Sequence, residues 1–365
     1  MTPPNNSPAT PNGRVLVAMS GGVDSSVAAA LLHEAGCDVV GVTLHLWDAH
    51  GSAQVGRCCA PEDRDDARRT CELLGVPHYV IDEREAFRSL VVEPFLDENL
   101  AGRTPIPCVH CNQQVKLGRL ALLADELGAS TVATGHYARM ELDTSGRAQL
   151  MRGVDHDKDQ SYFLFGVPQP VLRRLVFPLG GMTKPHAREE ARRLGLPNWD
   201  KPDSQELCFV SDGDVGGFIA SQRGAVGQPG PVEDEAGTVL GRHAGIEAFT
   251  VGQRRGLGIG GGAPRYVLRV VKERNAVVVG AAERLERTSL RASDVSWIGS
   301  APSDPFEAQV RIRYRHEAAP ALVTPSADGF HAAFAEPQRA VAPGQAAVVY
   351  RGDAVIGGGF IAADA

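Results

Sequence analysis

The segment that most restricts the fold of this chain is SGGVDSS at residues 20–26. It follows the apolar run VLVAM at residues 15–19, which predicts a strand, and it precedes a helical pattern at residues 25–35. The two glycines let the backbone approach an anion closely, the helix N-terminus directs N–H groups toward it, and the serine hydroxyls add donors. This placement predicts a phosphate-binding turn between strand and helix. An ordinary glycine-rich turn with Ser and Asp caps is the alternative.

The pattern around this turn predicts an α/β fold. From residue 14 onward, short apolar runs alternate with helical patterns, which is typical of βαβ units around a mostly parallel sheet. The predicted strands lie at residues 15–19, 39–47, 78–82 and 130–137, and the predicted helices at residues 25–35, 62–74, 112–127 and 183–194. Beyond about residue 215 the helical period disappears, and glycine-punctuated β runs with two hairpins predict a small β-domain or barrel.

Composition excludes several classes of protein. The 365 residues, with 43% hydrophobic and 22% charged residues, suit a soluble globular chain of two or three domains. There is no apolar run long enough to span a membrane, and the first 13 residues lack the features of a signal peptide and predict a disordered tail. Seven cysteines, an odd number, indicate reduced thiols in the cytoplasm rather than a disulfide framework.

Charge is distributed unevenly. The net charge of −7 gives no global indication of nucleic-acid binding. Residues 242–290, however, hold nine Lys and Arg against four Glu, a net charge of +5. Arg254 and Arg255 lie in this stretch, inside the glycine-rich run GQRRGLGIGG. The stretch is a candidate phosphate-facing surface, and a purely structural turn is the alternative.

The strand, the SGGxDS string and the helix together resemble the PP-loop of ATP pyrophosphatases, which split ATP to AMP and pyrophosphate while adenylating a substrate. The loop has neither the Lys of a Walker loop nor the GxGxxG spacing. Over residues 15–361 the chain resembles the tRNA-specific 2-thiouridylases, which place sulfur on C2 of the wobble uridine. The strings that carry this resemblance are SGGVDSS, TPIPCVHCN, ATGHYAR, KDQSYFL, SQELCF, FTVGQRRGLGIGG, VRIRYRH and PQRAVAPGQAAVVYRGDAVIGGG.

The resemblance implies a domain organisation and partners. After the tail at residues 1–13, it implies a Rossmann-like PP-loop catalytic domain at 14–215, a small central domain at 216–285 and a C-terminal β-barrel at 286–365 that binds tRNA. The substrates that the resemblance implies are ATP with Mg²⁺ and the tRNAs for Lys, Glu and Gln. Its sulfur would come from a sulfur relay or a cysteine desulfurase. A cytoplasmic monomer without membrane contact is expected.

The resemblance also implies site residues. The residues expected to hold ATP are Ala18, Met19, Ser20, Gly21, Gly22, Val23, Asp24 and Ser25, with Leu44 and Gly135 closing the adenine side. The residues expected to contact tRNA are His136, Lys158, Asp159, Gln160, Arg313, Tyr314 and Gln345. A polar surface residue is the alternative interpretation for any one of these tRNA contacts. The loop expected at the target base contains Ile106, Pro107 and Cys108.

Two cysteines carry the implied chemistry. By resemblance, Cys208 would carry a persulfide and Cys111 would be the partner nucleophile, so that discharge of the sulfur leaves a Cys111–Cys208 disulfide. Cys108 stands where many family members have Asp, so the acid/base role of that Asp cannot be transferred, and Ile106 stands where Asn is frequent. An iron–sulfur cluster on Cys108, Cys111 and Cys208 is an equally weighted alternative.

The remaining cysteines have a simpler interpretation. Cys37, Cys58, Cys59 and Cys71 are expected to be small, inert hydrophobic residues. A four-thiolate zinc site is not favoured, because the adjacent pair Cys58 and Cys59 lacks CxxC spacing.

Two rival functions are open. The first is another PP-loop enzyme, such as a GMP synthetase or an argininosuccinate synthetase, but neither needs two placed cysteines or a β-barrel. The second is a non-catalytic tRNA-binding protein that keeps the fold. The intact SGGVDSS loop and the presence of both cysteines weigh against it.

Overall fold

The computed structural model describes residues 13–48, 61–203, 207–210, 213–224, 227–260 and 262–363. These residues form two compact units. The first contains residues up to 91, 108–209 and 353–356, and the second contains residues 92–107, 210–352 and 357 onward. Cys58, Cys59 and nearly all of the expected N-terminal tail lie outside the described residues, and the predicted boundaries at 215 and 285 stay predictions.

The first unit contains a parallel sheet of five strands in the order β3-β2-β1-β4-β7. Its strands are β1 Arg14–Ala18, β2 Asp38–His45, β3 His78–Asp82, β4 Thr131–Ala133 and β7 Leu175–Val176. Strands β2 and β3 lie on one side of β1, whereas β4 and β7 lie on the other, so the strand order reverses between β1 and β4. The carboxyl end of a parallel sheet at such a reversal is where α/β proteins bind ligands.

The α-helices of the chain have the following bounds: α1 Val23–Glu34, α2 Pro61–Leu74, α3 Arg84–Phe87, α4 Glu93–Leu100, α5 Pro107–His110, α6 Leu117–Glu126, α7 Gln169–Leu172, α8 Lys184–Arg193 and α9 Val215–Arg223. Helix α1 is buried along most of its length because it packs on two sides. Ala29 and Leu32 join the core cluster of the parallel sheet, whereas Val27 and Ala30 join a second cluster that includes Ala187 of α8. Small side chains permit this close double packing.

A short antiparallel hairpin completes the first unit. It consists of β5 Ala138–Leu142 and β6 Ala148–Arg152, and Met151 pairs with Ala354. None of the helices in the described part of the chain is both long and apolar enough to cross a membrane.

The second unit contains a small sheet and a barrel. The sheet has the order β10-β11-β8-β9, and the barrel has the order β12-β15-β14-β13-β16-β17 with β12 also pairing with β17, which closes it. The strands of the small sheet are β8 Gly230–Glu233, β9 Val239–His243, β10 Tyr266–Val271 and β11 Ala276–Gly280. The strands of the barrel are β12 Glu286–Trp297, β13 Phe306–Arg311, β14 Ala319–Ser326, β15 Gly329–Arg339, β16 Ala346–Arg351 and β17 Ala354–Ile361.

The structure confirms the predicted fold class, an α/β parallel sheet followed by a β-barrel. Both predicted hairpins form, and β3 matches its predicted bounds. The predicted helix at residues 112–127 begins instead as a π-helical segment, Cys111–Lys116, before α6. The prediction that helices end near residue 215 is wrong for α9, a short helix capped by the side chain of Asp214.

Candidate functional site

The loop between β1 and α1 lies at the carboxyl end of the central strand, beside β4. Its own serines hold it in shape. Ser25 Oγ accepts a hydrogen bond from the backbone N–H of Ser20 at 3.2 Å and donates to the carbonyl of Gly22 at 3.1 Å. The N–H of Gly22 lies 3.4 Å from Ser20 Oγ. The predicted phosphate turn is therefore a preformed loop, braced by its serine hydroxyls, with N–H donors at the start of a helix.

At two positions of the site, neighbouring backbone lies so close that only glycine fits. Gly21 has φ +73°, and a Cβ on it would lie 1.9 Å from the carbonyl oxygen of Asp63. A Cβ on Gly135, just after β4, would lie 2.7 Å from the backbone nitrogen of Ser25. Gly135 therefore packs directly against the first turn of α1, and its expected contact with adenine stays a prediction.

Asp24 is the acidic residue of the loop, and it is already paired. Its carboxylate accepts a hydrogen bond from the hydroxyl of Tyr137 at 2.9 Å, and Lys184 Nζ lies 2.7 and 2.8 Å from its two oxygens. The pKa of Tyr137 is raised far above its ordinary value. Burial is the larger cause, and the nearby Asp24 carboxylate is the second. Tyr137 therefore stays protonated and donates to Asp24.

A second carboxylate continues this network. Asp203 contacts Lys184 Nζ and Lys158 Nζ, each at 2.8 Å, and Arg188 at 2.9 Å. Burial alone would raise the pKa of Asp203, but hydrogen bonds from Lys158 and Lys184 outweigh it and lower the pKa to about 2. Cations and carboxylates therefore alternate in this network, from Asp24 of the SGGVDSS loop through Lys184 to Asp203.

No sequence motif indicated Lys184, Lys201, Asn198 or Tyr137 as a site residue. For Lys184 there is a local signal, because it is the first residue of α8, where the helix dipole disfavours a cation. A lysine placed there needs carboxylate partners. Those partners, Asp24 and Asp203, are distant in sequence and only the fold identifies them.

The first unit also contains the two cysteines expected to act in sulfur transfer. Cys111 begins the π-helical segment and is 5% exposed, whereas Cys208 is half-buried. Phe209, next to Cys208, packs its ring against Phe87 at 5.6 Å and Trp47 at 6.3 Å between centroids. This aromatic cluster fixes the backbone next to Cys208.

The other described cysteines differ in exposure. Cys108 is exposed on α5, and Cys37 and Cys71 are buried, as expected for small hydrophobic residues. Burial, followed by the charge of Glu72, raises the pKa of the Cys71 thiol to about 11. Among the residues that the structure describes, no three His, Cys, Asp or Glu side chains are grouped so that they could hold a metal ion.

The expected tRNA contacts of the first unit have structural partners. Asp159 is 1% exposed, and its carboxylate accepts N–H bonds from Gly153 at 3.2 Å and Ser161 at 3.1 Å. Gln160 accepts the N–H of Tyr137 at 2.9 Å. Lys158 pairs with Asp203 as described above. These three residues shape the loop beside Tyr137, and their contact with tRNA stays a prediction.

His136 lies beside Thr134, with its Nδ1 2.7 Å from the threonine hydroxyl. The pKa of His136 is lowered to about 3. Burial is the larger cause, and the positive charge of Lys116 is the second. The imidazole is therefore neutral at physiological pH. It does not offer a positive charge to a phosphate group.

The remaining expected contacts belong to the second unit. Gln345 Nε2 donates to the carbonyl of Thr104 at 2.9 Å, and the N–H of Thr104 donates to Pro343 at 2.8 Å. Arg313 is exposed, and Tyr314 accepts a hydrogen bond from the Arg311 guanidinium through its carbonyl. Ile106 and Pro107 are buried. The barrel loop that contains Gln345 therefore holds the segment that precedes Cys108.

Comparison with known proteins finds a matching family for each part of the chain. Residues 13–212 match the tRNA methyl transferase HUP domain, residues 217–281 match the tRNA methyl transferase PRC-barrel domain, and residues 287–361 match the aminomethyltransferase beta-barrel domain. A tRNA-specific 2-thiouridylase of Sorangium cellulosum is 51% identical over 357 residues, which cover 96% of this chain and 92% of that protein. The chain belongs to the tRNA-specific 2-thiouridylase family.

Other members of the 2-thiouridylase family align over similar lengths. The protein from Geobacter metallireducens is 50% identical over 95% of this chain and 96% of its own length. Among solved structures, a 4-thiouridine synthetase in complex with RNA and ATP is 17% identical with a TM-score of 0.37, covering 57% of this chain and 50% of that one.

Proposed function

We propose that this protein is a tRNA-uridine 2-sulfurtransferase. It adenylates the C2 oxygen of the wobble uridine with ATP and then replaces that oxygen with sulfur, releasing AMP and pyrophosphate. The observation that carries the proposal is the preformed SGGVDSS loop at the strand-order reversal, in a chain 51% identical to a tRNA 2-thiouridylase. The site residues expected from the resemblance are part of this proposal.

The loop provides the binding site for the ATP phosphates. The N–H of Gly22 and the N-terminus of α1 supply the donors, and the hydroxyls of Ser20 and Ser25 hold the loop in shape. Mg²⁺ in such sites is held by one or two carboxylates together with phosphate oxygens, and it neutralises phosphate charge. Asp24 is the carboxylate that would hold Mg²⁺ here, and Lys184, which pairs with both Asp24 and Asp203, would balance part of the added phosphate charge.

ATP solves a leaving-group problem. The C2 oxygen of uracil is a poor leaving group, so it first attacks the α-phosphorus of ATP and pyrophosphate departs. Sulfur then attacks C2, a C–S bond forms, and the C–O bond breaks with AMP as the leaving group.

The sulfur comes from a persulfide on Cys208. The Cys111 thiolate attacks Sγ of Cys208, the bond to the terminal sulfur breaks, and that sulfur leaves as sulfide to attack C2. The two cysteines lose two electrons to the sulfur and end as a Cys111–Cys208 disulfide. A cellular thiol reductant restores both thiols before the next turnover.

We propose the persulfide route rather than the cluster route. Cys108 is exposed whereas Cys111 is buried, and within the described ranges Cys108, Cys111 and Cys208 do not form a metal-holding group. We therefore derive no step through an iron–sulfur cluster. The partners we propose are wobble-uridine tRNAs for Lys, Glu and Gln and a sulfur relay or cysteine desulfurase, with the enzyme acting as a cytoplasmic monomer.

The experiment combines purified protein, tRNA, ATP and a persulfide donor, and measures 2-thiouridine by mass spectrometry and pyrophosphate by a coupled assay. Cys208→Ser and Cys111→Ser should each eliminate thiolation while pyrophosphate release stays detectable. Cys37→Ser is the matched control and should thiolate normally. Normal 2-thiouridine from either of the first two variants removes that cysteine from the mechanism.

Cys108→Ser separates the two sulfur routes. It should retain thiolation if the persulfide route operates. An anaerobic absorption spectrum, with iron and acid-labile sulfide counts, provides the second measurement. Loss of thiolation in Cys108→Ser together with stoichiometric iron would replace the persulfide route with the cluster route.

A further inference from the structure

The carbonyl oxygen of Gly21 is held by two buried side chains. Asn198 Nδ2 donates to it at 3.0 Å and Lys201 Nζ at 3.1 Å. The exposed fractions of Asn198 and Lys201 are 3% and 7%. A carbonyl only accepts hydrogen bonds, so the amide nitrogen of Asn198 must face the loop. The same nitrogen lies 3.0 Å from Ser26 Oγ, which ties the contact to the first turn of α1.

A tight turn presents both side chains together. The N–H of Lys201 donates to the carbonyl of Asn198 at 3.1 Å. Arg188 of α8 donates to the carbonyls of Trp199 at 3.2 Å and Lys201 at 2.9 Å. The turn is therefore fixed to a helix that already packs on α1.

Lys201 is a fixed cation. Its Nζ lies 2.5 Å from a carboxylate oxygen of Asp63 and 2.5 Å from one of Asp66, both in α2. Burial lowers the pKa of Lys201, but these two carboxylates outweigh burial and hold the pKa above its ordinary value. The ammonium group stays charged at neutral pH, and its hydrogen bond to Gly21 is a charge-assisted one.

The orientation of the Gly21–Gly22 peptide follows from these contacts. In a trans peptide the C=O and the next N–H point in opposite directions. Because the Gly21 carbonyl points to Asn198 and Lys201, the N–H of Gly22 points the other way, toward Ser20 Oγ at 3.4 Å. Between two glycines this peptide could otherwise rotate at low cost, since neither residue has a Cβ.

We propose that Asn198 and Lys201 are positioning residues of the SGGVDSS loop at residues 20–26, called the ATP loop below. The two side chains turn the Gly22 N–H toward the pyrophosphate part of bound ATP. The inference rests on the proposed function, because it assumes that the loop binds ATP. Neither residue touches the substrate. Their effect is to prepare one N–H donor so that binding the anion requires no rotation of the peptide.

The test is Asn198→Asp, which keeps the side-chain shape but places an acceptor against the Gly21 carbonyl. Isothermal titration of the full-length protein with inorganic pyrophosphate and, separately, with adenosine provides the readout. The Kd for pyrophosphate should rise about 10- to 100-fold, the range for a lost hydrogen bond to a charged group. The Kd for adenosine should change less than about threefold. A merely structural role would move both constants together.

Four further variants make the test independent of folding. Asn99→Asp is the matched control, because Asn99 is also a buried amide that donates to a carbonyl, that of Phe95 in its own helix α4. Asn198→Ala removes the donors without adding a charge and should raise the pyrophosphate Kd in the same direction. Lys201→Arg keeps the cation and should bind pyrophosphate more tightly than Lys201→Met.

The possible results separate the two proposals. If the unchanged protein binds neither pyrophosphate nor ATP, the proposed function fails and the positioning role fails with it. If the unchanged protein binds pyrophosphate and the folded Asn198 variants bind it equally well, only the positioning role is overturned. A parallel rise in the pyrophosphate and adenosine constants overturns it as well.

Discussion

At the scale of single residues, Asp24 determines the charge balance of the ATP loop. Its carboxylate is shared between Tyr137 and Lys184, and Lys184 is 7% exposed. Removing a charge from such a buried group leaves its partner with an unfavourable solvation energy. Activity and stability are therefore linked at this residue.

Asp24→Asn should abolish ATP-dependent pyrophosphate release and lower the free energy of unfolding by about 1–3 kcal/mol. Ser20→Ala, which removes loop hydroxyl contacts but no ion pair, should also lose pyrophosphate release yet cost less than about 1.5 kcal/mol. Pyrophosphate assays and urea denaturation measure both effects. Full pyrophosphate release in both variants would contradict the assignment of the loop.

His136 should make stability depend on pH. Because its pKa falls from 6.5 to about 3 in the folded protein, the unfolded chain binds this proton first. The free energy of unfolding should therefore fall as the pH falls from about 6.5 toward 3, with a slope of about 1.4 kcal/mol per pH unit from this residue.

The measurement for His136 is urea denaturation at a series of pH values. His136→Gln should flatten the profile between pH 6.5 and 3, whereas His33→Gln, at an exposed residue of α1, should leave it unchanged. Identical profiles for the His136 variant and the unchanged protein would show that the imidazole is not buried in its neutral form.

At the scale of elements, the contact between α1 and the segment after β4 sets the shape of the site. Gly135→Ala would place a Cβ 2.7 Å from the nitrogen of Ser25, so the two elements must separate. We expect a loss of about 1–3 kcal/mol in the free energy of unfolding and a raised KM for ATP. Gly118→Ala is the control within α6, where the nearest atom lies 3.8 Å away, and it should be neutral or stabilising by about 0.4–1 kcal/mol. Thermal unfolding and ATP kinetics of the two variants provide the comparison.

At the scale of the whole molecule, binding of tRNA must overcome a net charge of −7. Local basic residues are expected to do this, so the affinity should fall steeply with salt. Arg254 and Arg255 are exposed in the stretch of residues 242–290. The Arg254→Ala, Arg255→Ala double variant should reduce the slope of log K against log salt by about one to two.

The control for this prediction is Arg284→Ala. Arg284 lies in the same basic stretch, but its guanidinium is bound to Glu235 at 2.7 Å, so it has less charge to offer a phosphate. Filter binding at several salt concentrations measures the slopes. Equal slopes for the double variant and the unchanged protein would place the phosphate contacts elsewhere.

The sequence by itself predicted the α/β class, the loop at residues 20–26 and most strands and helices. These features depend on the order of neighbouring residues along the chain and on the spacing of apolar residues. It overextended β4, which ends at Ala133 rather than residue 137, since Gly135 turns to pack against α1. It missed α9 because that helix is short and glycine-rich.

Only the tertiary structure identified the partners of the buried charges. Lys184 reaches Asp24 across 160 residues, and Lys201 reaches Asp63 across 138 residues. No local pattern identifies the partners in such pairs. The position of Lys184 at the start of α8 indicates that it needs a carboxylate, but not which one. The loop that could bind phosphate is thus determined by the local sequence, whereas the charges and donors that hold it in shape are determined by the long-range packing of α2 and α8 and of the turn at Asn198.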